Sequence, residues 1–429
     1  MTDAGLEFVD DSGSYDRRSM RQKIEALTHR IPVGNVPVVM ESDRSHETAV
    51  RFLALLSAGR VPLMLPEQEF QDQEFVSFVR SVLGAVSLWP LREGLPLVAD
   101  TGTISSPLLK PGHFIVKTSG TSGLKNKFIV HDLDLFRRKF QARSPGFERT
   151  LLFFPPDSIA GIETLLEAQV HGKTLIGSRN ILDPLALPEI LVKGAVDFLH
   201  VTPTFLNLLL VSGGLKREHL RSVRRLSYGS EPAQVSILRK ILALKPELEL
   251  RQIYGMSELG LLRTLTVKSD PSLFLLDEKA NPYRLRDGLL EVKSESPMLG
   301  YLNAQSATHE GWFSTGDSVI QENGGLRVIG RQDDVINVAG KKFHPIQLEE
   351  LLMQMPQIKD VMVTAEAHEL IGQVVTAHVV TEIPDADFRA LMKSFLEERV
   401  PQWMRPQKIT LQKESTVTGR LKKRRKSSV

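Results

Sequence analysis

The stretch "VPVVMESDRSHETAVRFLALLSAGRVPLML" (residues 36–65) reads as strand, helix, strand. Two short apolar runs flank a segment whose apolar residues Val50, Leu53, Ala54 and Leu56 fall at helical spacing. Gly59 follows as a natural C′ stop. A βαβ unit of this length joins parallel strands. The alternation recurs downstream. "TLLFF" (residues 150–154) leads to a helix near residues 162–171 and then to "TLIG". "VDFLHVT" is followed by the helical "PTFLNLLLVSGG", and "VRRLSYG" by a helix near residues 233–244. Strands alternating with helices predict a large α/β domain of mostly parallel sheets with flanking helices.

The rhythm changes after about residue 261. "RTLTV", "SLFLL", "GLLEVKS" and "GLRVIG" are short strands separated by turns, which predicts a small all-β subdomain over about residues 262–330. Beyond "GRQDD" (residues 330–334) the pattern is α+β. "PIQLEELLMQM" is a helix with Pro345 in its first turn, "DVMVTA" and "VVTAHVV" are strands, and "DADFRALMKSFLEERV" carries a helical apolar stripe. The expected division is an N-terminal domain over residues 1–332 and a small C-terminal domain over residues 333–429.

Composition bounds the function. A chain of 429 residues is too long for one simple core. No apolar run reaches the roughly 18–20 residues of a membrane span, and the acidic start "MTDAGLEFVDDSG" is not a secretory signal. Cysteine is absent, which excludes disulfides, thiolate metal sites and a cysteine nucleophile, and suits a reducing compartment, so a cytoplasmic protein is expected. The net charge of +3 hides a basic tail, "RLKKRRK" (residues 420–426), that leaves the rest net negative. Such a tail is either a solvated terminus or an attractor for an anionic partner. Without interleaved aromatics it does not indicate nucleic acid.

"KTSGTSGLKNKFIVHD" (residues 117–132) places hydroxyls and glycines between two β-like runs. Glycines let the backbone approach a ligand closely, and successive N–H groups with Thr and Ser hydroxyls can wrap phosphate oxygens. It is not a Walker loop, because no helix follows, nor is it a GxSxG elbow. Taken alone, such a loop is more often a plain turn.

Four later stretches follow in order: "SYGSEP" (residues 227–232), "IYGMSELG" (residues 253–260), "GWFSTGD" (residues 311–317) and "GRQDDVINVAGKKFHPIQLEE" (residues 330–350). Together with the loop they resemble the adenylate-forming superfamily: acyl- and aryl-CoA synthetases, peptide-synthetase adenylation domains and luciferases. The resemblance spans nearly the whole chain. It implies ATP-dependent activation of a small carboxylic acid to an acyl-adenylate. The acyl group would then pass to the thiol of CoA or of a carrier-protein phosphopantetheine, with Mg2+ as cofactor and a C-terminal domain that swings between steps. Carried over residue by residue, the phosphate loop is Thr118, Ser119, Gly120, Thr121, Ser122 and Gly123. Gly229, Ser230 and Glu231 form the adenine-side loop. Tyr254, Gly255 and Ser257 belong to the next motif, with Tyr254 stacking on adenine. Glu258 is a hard carboxylate for Mg2+. Asp317 would accept from both ribose hydroxyls, and Arg331 offers a cationic fork near the ribose and α-phosphate. Asp333 is the implied hinge and Gly340 the implied passage for the pantetheine arm. "DDVINVAG" resembles the CoA-synthetase form of this motif.

Three departures stand out. The loop's usual proline and lysine are Lys125 and Asn126, leaving Lys125 or Lys127 to reach the phosphates. The C-terminal TxxGK lysine is Arg420, whose planar fork is not a compact ammonium; Lys422 or Lys423 lies nearby. Ser158 stands where the family has a His or aromatic residue near the acyl site. His131 and His200 read as structural. The expected acid is aromatic or medium-chain, held among residues 198–208, 227–232 and 254–261. The alternatives are an adenylation enzyme specific for an acyl carrier protein and a catalytically impaired nucleotide- or acyl-binding homologue.

Overall fold

Strand Val38–Ser42, helix His46–Ser57 and strand Pro62–Pro66 form a parallel βαβ unit, in register from Val38 opposite Pro62 to Ser42 opposite Pro66. Ser45 caps the helix by accepting from Thr48 N, and Gly59 adopts φ +71° just beyond its end. Every side chain over residues 48–56 is buried because the helix lies between two sheets. A helix that is buried all round needs apolar residues all round. Its one buried charge, Arg51, donates to the carbonyls of Pro90 and Leu91 at 2.6 Å each.

The protein is described here by a computed structural model, which describes residues 4–34, 36–92, 94, 106–118, 126–143, 146–267, 270–305, 308–369 and 372–412. One of the two sheets has six strands and contains that unit together with the antiparallel pair His113–Thr118 and Lys127–Asp132. The other has seven strands. It carries the successive parallel strands Phe198–Val201, Arg225–Gly229 and Glu249–Ile253 on one side and Arg149–Leu151 with Thr174–Ile176 further in. Strand Glu7–Asp10 joins it by parallel pairing with Thr174–Ile176, a partner more than 160 residues away that no local pattern announces. Helix Ile159–His171 begins three residues before its periodicity suggests, because Ser158 caps it by accepting from Gly161 N at 3.1 Å.

The β subdomain is antiparallel and runs Thr264–Thr266, Phe274–Leu276, Gly325–Arg331, Trp312–Glu322, Leu289–Val292 and Tyr283–Arg286 across its sheet. Trp312–Glu322, an eleven-residue strand, contains "GWFSTGD" from its second residue. The smaller C-terminal domain packs helices Pro345–Leu352 and Asp385–Glu397 on a five-stranded sheet built around Asp360–His368 and Gly372–Val380. The fold is therefore α/β with a large N-terminal domain, a β subdomain and a small α+β domain. Among the described residues no helix is long and apolar enough to cross a membrane.

Candidate active site

The site is built around the tight two-stranded hairpin of Gly255–Met256 and Gly260–Leu261. It emerges at the C-terminal end of strand Glu249–Ile253, the position where open parallel sheets bind ligands. Two glycines make it possible. A Cβ on Gly255 would come within 2.6 Å of the Gly260 carbonyl oxygen. Gly260 has φ +70°, and a Cβ there would meet Glu163 Oε1 at 2.5 Å.

Buried side chains fix the hairpin from behind. Glu163 accepts from Leu261 N and is paired with Lys139 Nζ at 2.6 Å, both side chains being almost wholly buried. Ser294 Oγ donates to Leu259 O at 2.6 Å, and Met298 N donates to Glu258 O at 2.8 Å. His131 Nε2 donates to Ser257 O at 2.8 Å. Burial pushes the His131 imidazole down to about 4, so it is neutral at physiological pH, and the Ser257 carbonyl selects the Nε2–H tautomer. His131 thus holds the hairpin's backbone at Ser257. Sequence reasoning missed Lys139 and Glu163, whose charges look like those of any solvated helix face.

Tyr254 sits at the hairpin's root. Its ring stacks on Phe274 at 5.2 Å and 9°, and its hydroxyl donates to Asp317 Oδ2 at 2.5 Å. Burial, then the adjacent Asp317 charge, drives the phenol well above its ordinary value. Asp317 lies directly across the ladder from Arg331, whose Nε approaches Oδ1 at 3.2 Å while Nη2 donates to Thr315 O at 2.7 Å. Burial raises the Asp317 carboxyl, and Arg331 and the Tyr254 hydrogen bond oppose that rise. The hairpin thus brings Tyr254, Asp317 and Arg331 into one connected cluster.

A second cluster forms at the hairpin's tip. Tyr301, on a strand beside Lys127–Asp132, donates its hydroxyl to Glu258 Oε1 at 2.8 Å. Burial, and then Glu258, raises its phenol as well. Lys127 Nζ lies 5.0 Å from the centroid of the same ring. Lys127 and Glu258, 131 positions apart in the chain, are thereby joined through Tyr301, which sequence reasoning did not single out. Its signal was available in "LGY", but its partner is 43 residues away.

The remaining expected residues are placed as follows. Gly229 neighbours Ile253 so closely that a Cβ would lie 2.4 Å from the Ile253 carbonyl oxygen. Ser230 follows at φ +75°, and Glu231 accepts from Thr204 N at 2.8 Å at the start of helix Pro203–Val211. Thr118 pairs with Lys127 across the hairpin that the loop connects. Asp333 is exposed in a short 3-10 turn just after Gly325–Arg331. Gly340 has φ +82° in the turn between Ile336–Val338 and Lys341–Phe343, with nothing within 4 Å of an added Cβ. Ser119, Gly120, Thr121, Ser122, Gly123, Lys125, Arg420, Lys422 and Lys423 lie outside the described residues. Among those described, no group of three or more His, Asp or Glu could hold a metal by itself.

Residues 109–279 match the family of AMP-binding enzymes, and residues 347–422 match that family's C-terminal domain. The chain belongs to the adenylate-forming superfamily. Its class is that of the AMP-forming acid–thiol ligases. It is 25% identical over 424 residues to a putative long chain fatty acid-CoA ligase, VraA, of Staphylococcus epidermidis, covering 95% of this chain and 88% of that protein. It is 26% identical over 310 residues to a 2-succinylbenzoate–CoA ligase of Bacillus pumilus, covering 66% of this chain and 62% of the relative. The fold is that of o-succinylbenzoate CoA synthetase from Bacillus subtilis in complex with its acyl-adenylate, with a TM-score of 0.73, 17% identity, and coverage of 96% and 93% of the two chains.

Proposed function

We propose that the protein activates a carboxylic acid with ATP to an acyl-adenylate and transfers the acyl group to the thiol of CoA or of a carrier-protein phosphopantetheine. The observation that carries this reading is the hairpin that joins Tyr254, Asp317 and Arg331 at one end to Glu258, Tyr301 and Lys127 at the other. An organic carboxylate is a poor electrophile, and a carboxylate and a triphosphate repel each other. The site must align these two anions and offset the charge that builds on the α-phosphate.

Asp317 and Arg331 would orient the ribose, with Tyr254 fixing the Asp317 carboxylate and flanking the base. Arg331 would also face the α-phosphate, and Lys127, followed by Arg420 from the C-terminal domain, would add positive charge as pyrophosphate leaves. Glu258 fits Mg2+: it is a hard oxygen donor already oriented by Tyr301, and Mg2+ keeps waters and nucleotide oxygens for its other positions. When bound there, Mg2+ would shield the triphosphate. Glu231 and Thr204 would shape the floor beside the adenine. The C-terminal domain would pivot at Asp333 to exchange Arg420 for the turn at Gly340, which carries no side chain beside an incoming thiol arm. CoA is the favoured acceptor, on the form of the stretch "DDVINVAG".

Pyrophosphate release with ATP, Mg2+ and a panel of acids tests the reading, with acyl-AMP and acyl-CoA followed by mass spectrometry. Binding of ATP with no adenylate from any acid would favour the impaired homologue. Transfer to a carrier protein but not to free CoA would identify a carrier-loading enzyme.

A further inference from the structure

The central face of the seven-stranded sheet is laid out in rungs. Register places Phe198, Arg225 and Glu249 on one rung and His200, Ser227 and Arg251 on the next, two residues further along each strand. Alternate residues on a strand share a face. Phe198, His200, Arg225 and Arg251 of these rungs line a cavity of about 380 Å3, with Phe140 and Thr164 from two helices also lining it. Its upper boundary is Ile253 and Leu261, the residues beside Tyr254 and at the end of the hairpin. Arg251 is three residues before Tyr254, roughly 10 Å along the strand.

The wall is polar where a simple hydrocarbon pocket would be apolar. Arg225 and Arg251 converge on one carboxylate, Glu249, at 2.8 and 3.0 Å. Arg225 also stacks over the Phe147 ring at 4.5 Å. Among the described residues, Arg225 Nε, Arg143 Nε and Ser227 Oγ are buried with no hydrogen-bond partner, and Ser227 is wholly inaccessible. Buried polar groups are nearly always satisfied, so the two guanidinium nitrogens, both on residues that line the cavity, call for an explanation. His200 is 5% exposed, and burial drives its imidazole down to about 3, which leaves a neutral ring on the same wall. Two neighbouring guanidinium forks, that of Arg225 lying over the Phe147 ring, suit the planar, bidentate geometry of a carboxylate. Phe140, Phe198, Ile253 and Leu262 supply apolar surface for a carbon skeleton between the two ends.

We infer that this cavity receives the body of the substrate acid and that the acid carries a second carboxylate, recognised by Arg225 and Arg251. The inference rests on the ligase reading above and specifies its substrate class: an aromatic or medium-length dicarboxylic acid. One carboxylate is activated near Tyr254, and the other is held at the guanidinium end.

The test is calorimetric binding of matched mono- and dicarboxylic acids of the same skeleton to the full chain, run beside pyrophosphate release. The expected result is at least tenfold tighter binding of the diacid, with the diacid-to-monoacid ratio falling toward one in Arg251→Gln and Arg225→Gln. Arg251→Lys keeps the charge but loses the fork, and is expected to recover only part of the ratio. Circular dichroism of each variant separates loss of recognition from loss of fold. Equal binding of both acids, no diacid binding, or an unchanged ratio in the folded glutamine variants overturns the inference. Pyrophosphate release with monoacids alone also overturns it and leaves the ligase reading standing. Diacid binding that depends on Arg251 without pyrophosphate release supports the cavity assignment and defeats the ligase reading.

Discussion

Two hairpins bear signature glycines, and they are held in opposite ways. The one over residues 255–261 is crowded: added Cβ atoms on its glycines would lie 2.6 and 2.5 Å from neighbouring oxygens, and buried side chains hold it from several directions. The one that turns at Gly340 has φ +50° at Ala339 and +82° at Gly340, with open space around the latter. Crowding excludes a side chain at both glycines of the first, one of which is also left-handed, whereas only the left-handed backbone calls for glycine in the second. The first arrangement fixes the backbone on both sides of Glu258, and the second leaves its turn open to solvent.

Removing the buried support of the crowded hairpin gives the largest expected effect. Lys139→Met leaves Glu163 as an unpaired buried carboxylate, which costs roughly 3–5 kcal/mol. Thermal unfolding is expected to fall sharply, with more loss than Lys342→Met on the exposed hairpin produces. Equal stability of the two variants would break the contrast.

Acid offers a second lever on the same contrast. His131 titrates at about 4 in the folded protein against an ordinary value of 6.5, because burial penalises its charged form. The folded value is depressed, so the unfolded chain binds the proton first and stability falls as pH drops from 6.5 toward 4. The slope is at most about 1.4 kcal/mol per pH unit for this group, or roughly 3 kcal/mol in all. Protection factors at Ser257 and Glu258, taken relative to the pH-dependent intrinsic exchange rate, are expected to fall through that window while those at Ala339 and Gly340 hold steady. His131→Asn is expected to flatten the acid limb, and an unchanged limb would count against a buried neutral imidazole.

The glycines themselves give a matched pair. Gly260→Ala meets both a left-handed backbone and the Glu163 carboxylate, whereas Gly340→Ala meets only the backbone term. The second is expected to cost about 1–2 kcal/mol and the first distinctly more. Comparable melting temperatures for the two variants would mean that crowding adds nothing.

Much of this fold was legible because the βαβ rhythm is local. The strand–helix–strand over residues 38–66 shows itself within thirty residues, and so do the later strand–helix pairs. Glu7–Asp10 was not legible, since four mixed residues gain their place only by pairing with a strand beyond residue 170. "GWFSTGD" read as a motif concealed that it is part of an eleven-residue strand. The site divides in the same manner. Tyr254, Asp317 and Arg331 are readable from their motifs, and the structure joins them. Lys139, Glu163 and Tyr301 join the site only through partners 24 to 98 residues away, and nothing in their immediate neighbours distinguishes them from ordinary surface charges or a buried ring.

Tyr301 gives the smallest and most local test. Its hydroxyl occupies only Oε1 of Glu258, leaving Oε2 outside that hydrogen bond. If the contact merely filled a gap, Tyr301→Phe would leave Mg2+ behaviour unchanged, since the ring and its packing remain. If it orients the carboxylate, the variant must order Glu258 at the moment of metal binding. A hydrogen bond of this kind is worth about 1 kcal/mol net, so the half-saturating Mg2+ concentration for pyrophosphate release is expected to rise about fivefold. The KM for the acid is expected to stay put, because the phenol lies at the hairpin's tip and the cavity proposed for the acid reaches its root. A coincident Mg2+ curve would return Tyr301 to a packing role and leave Glu258 oriented by its hairpin alone.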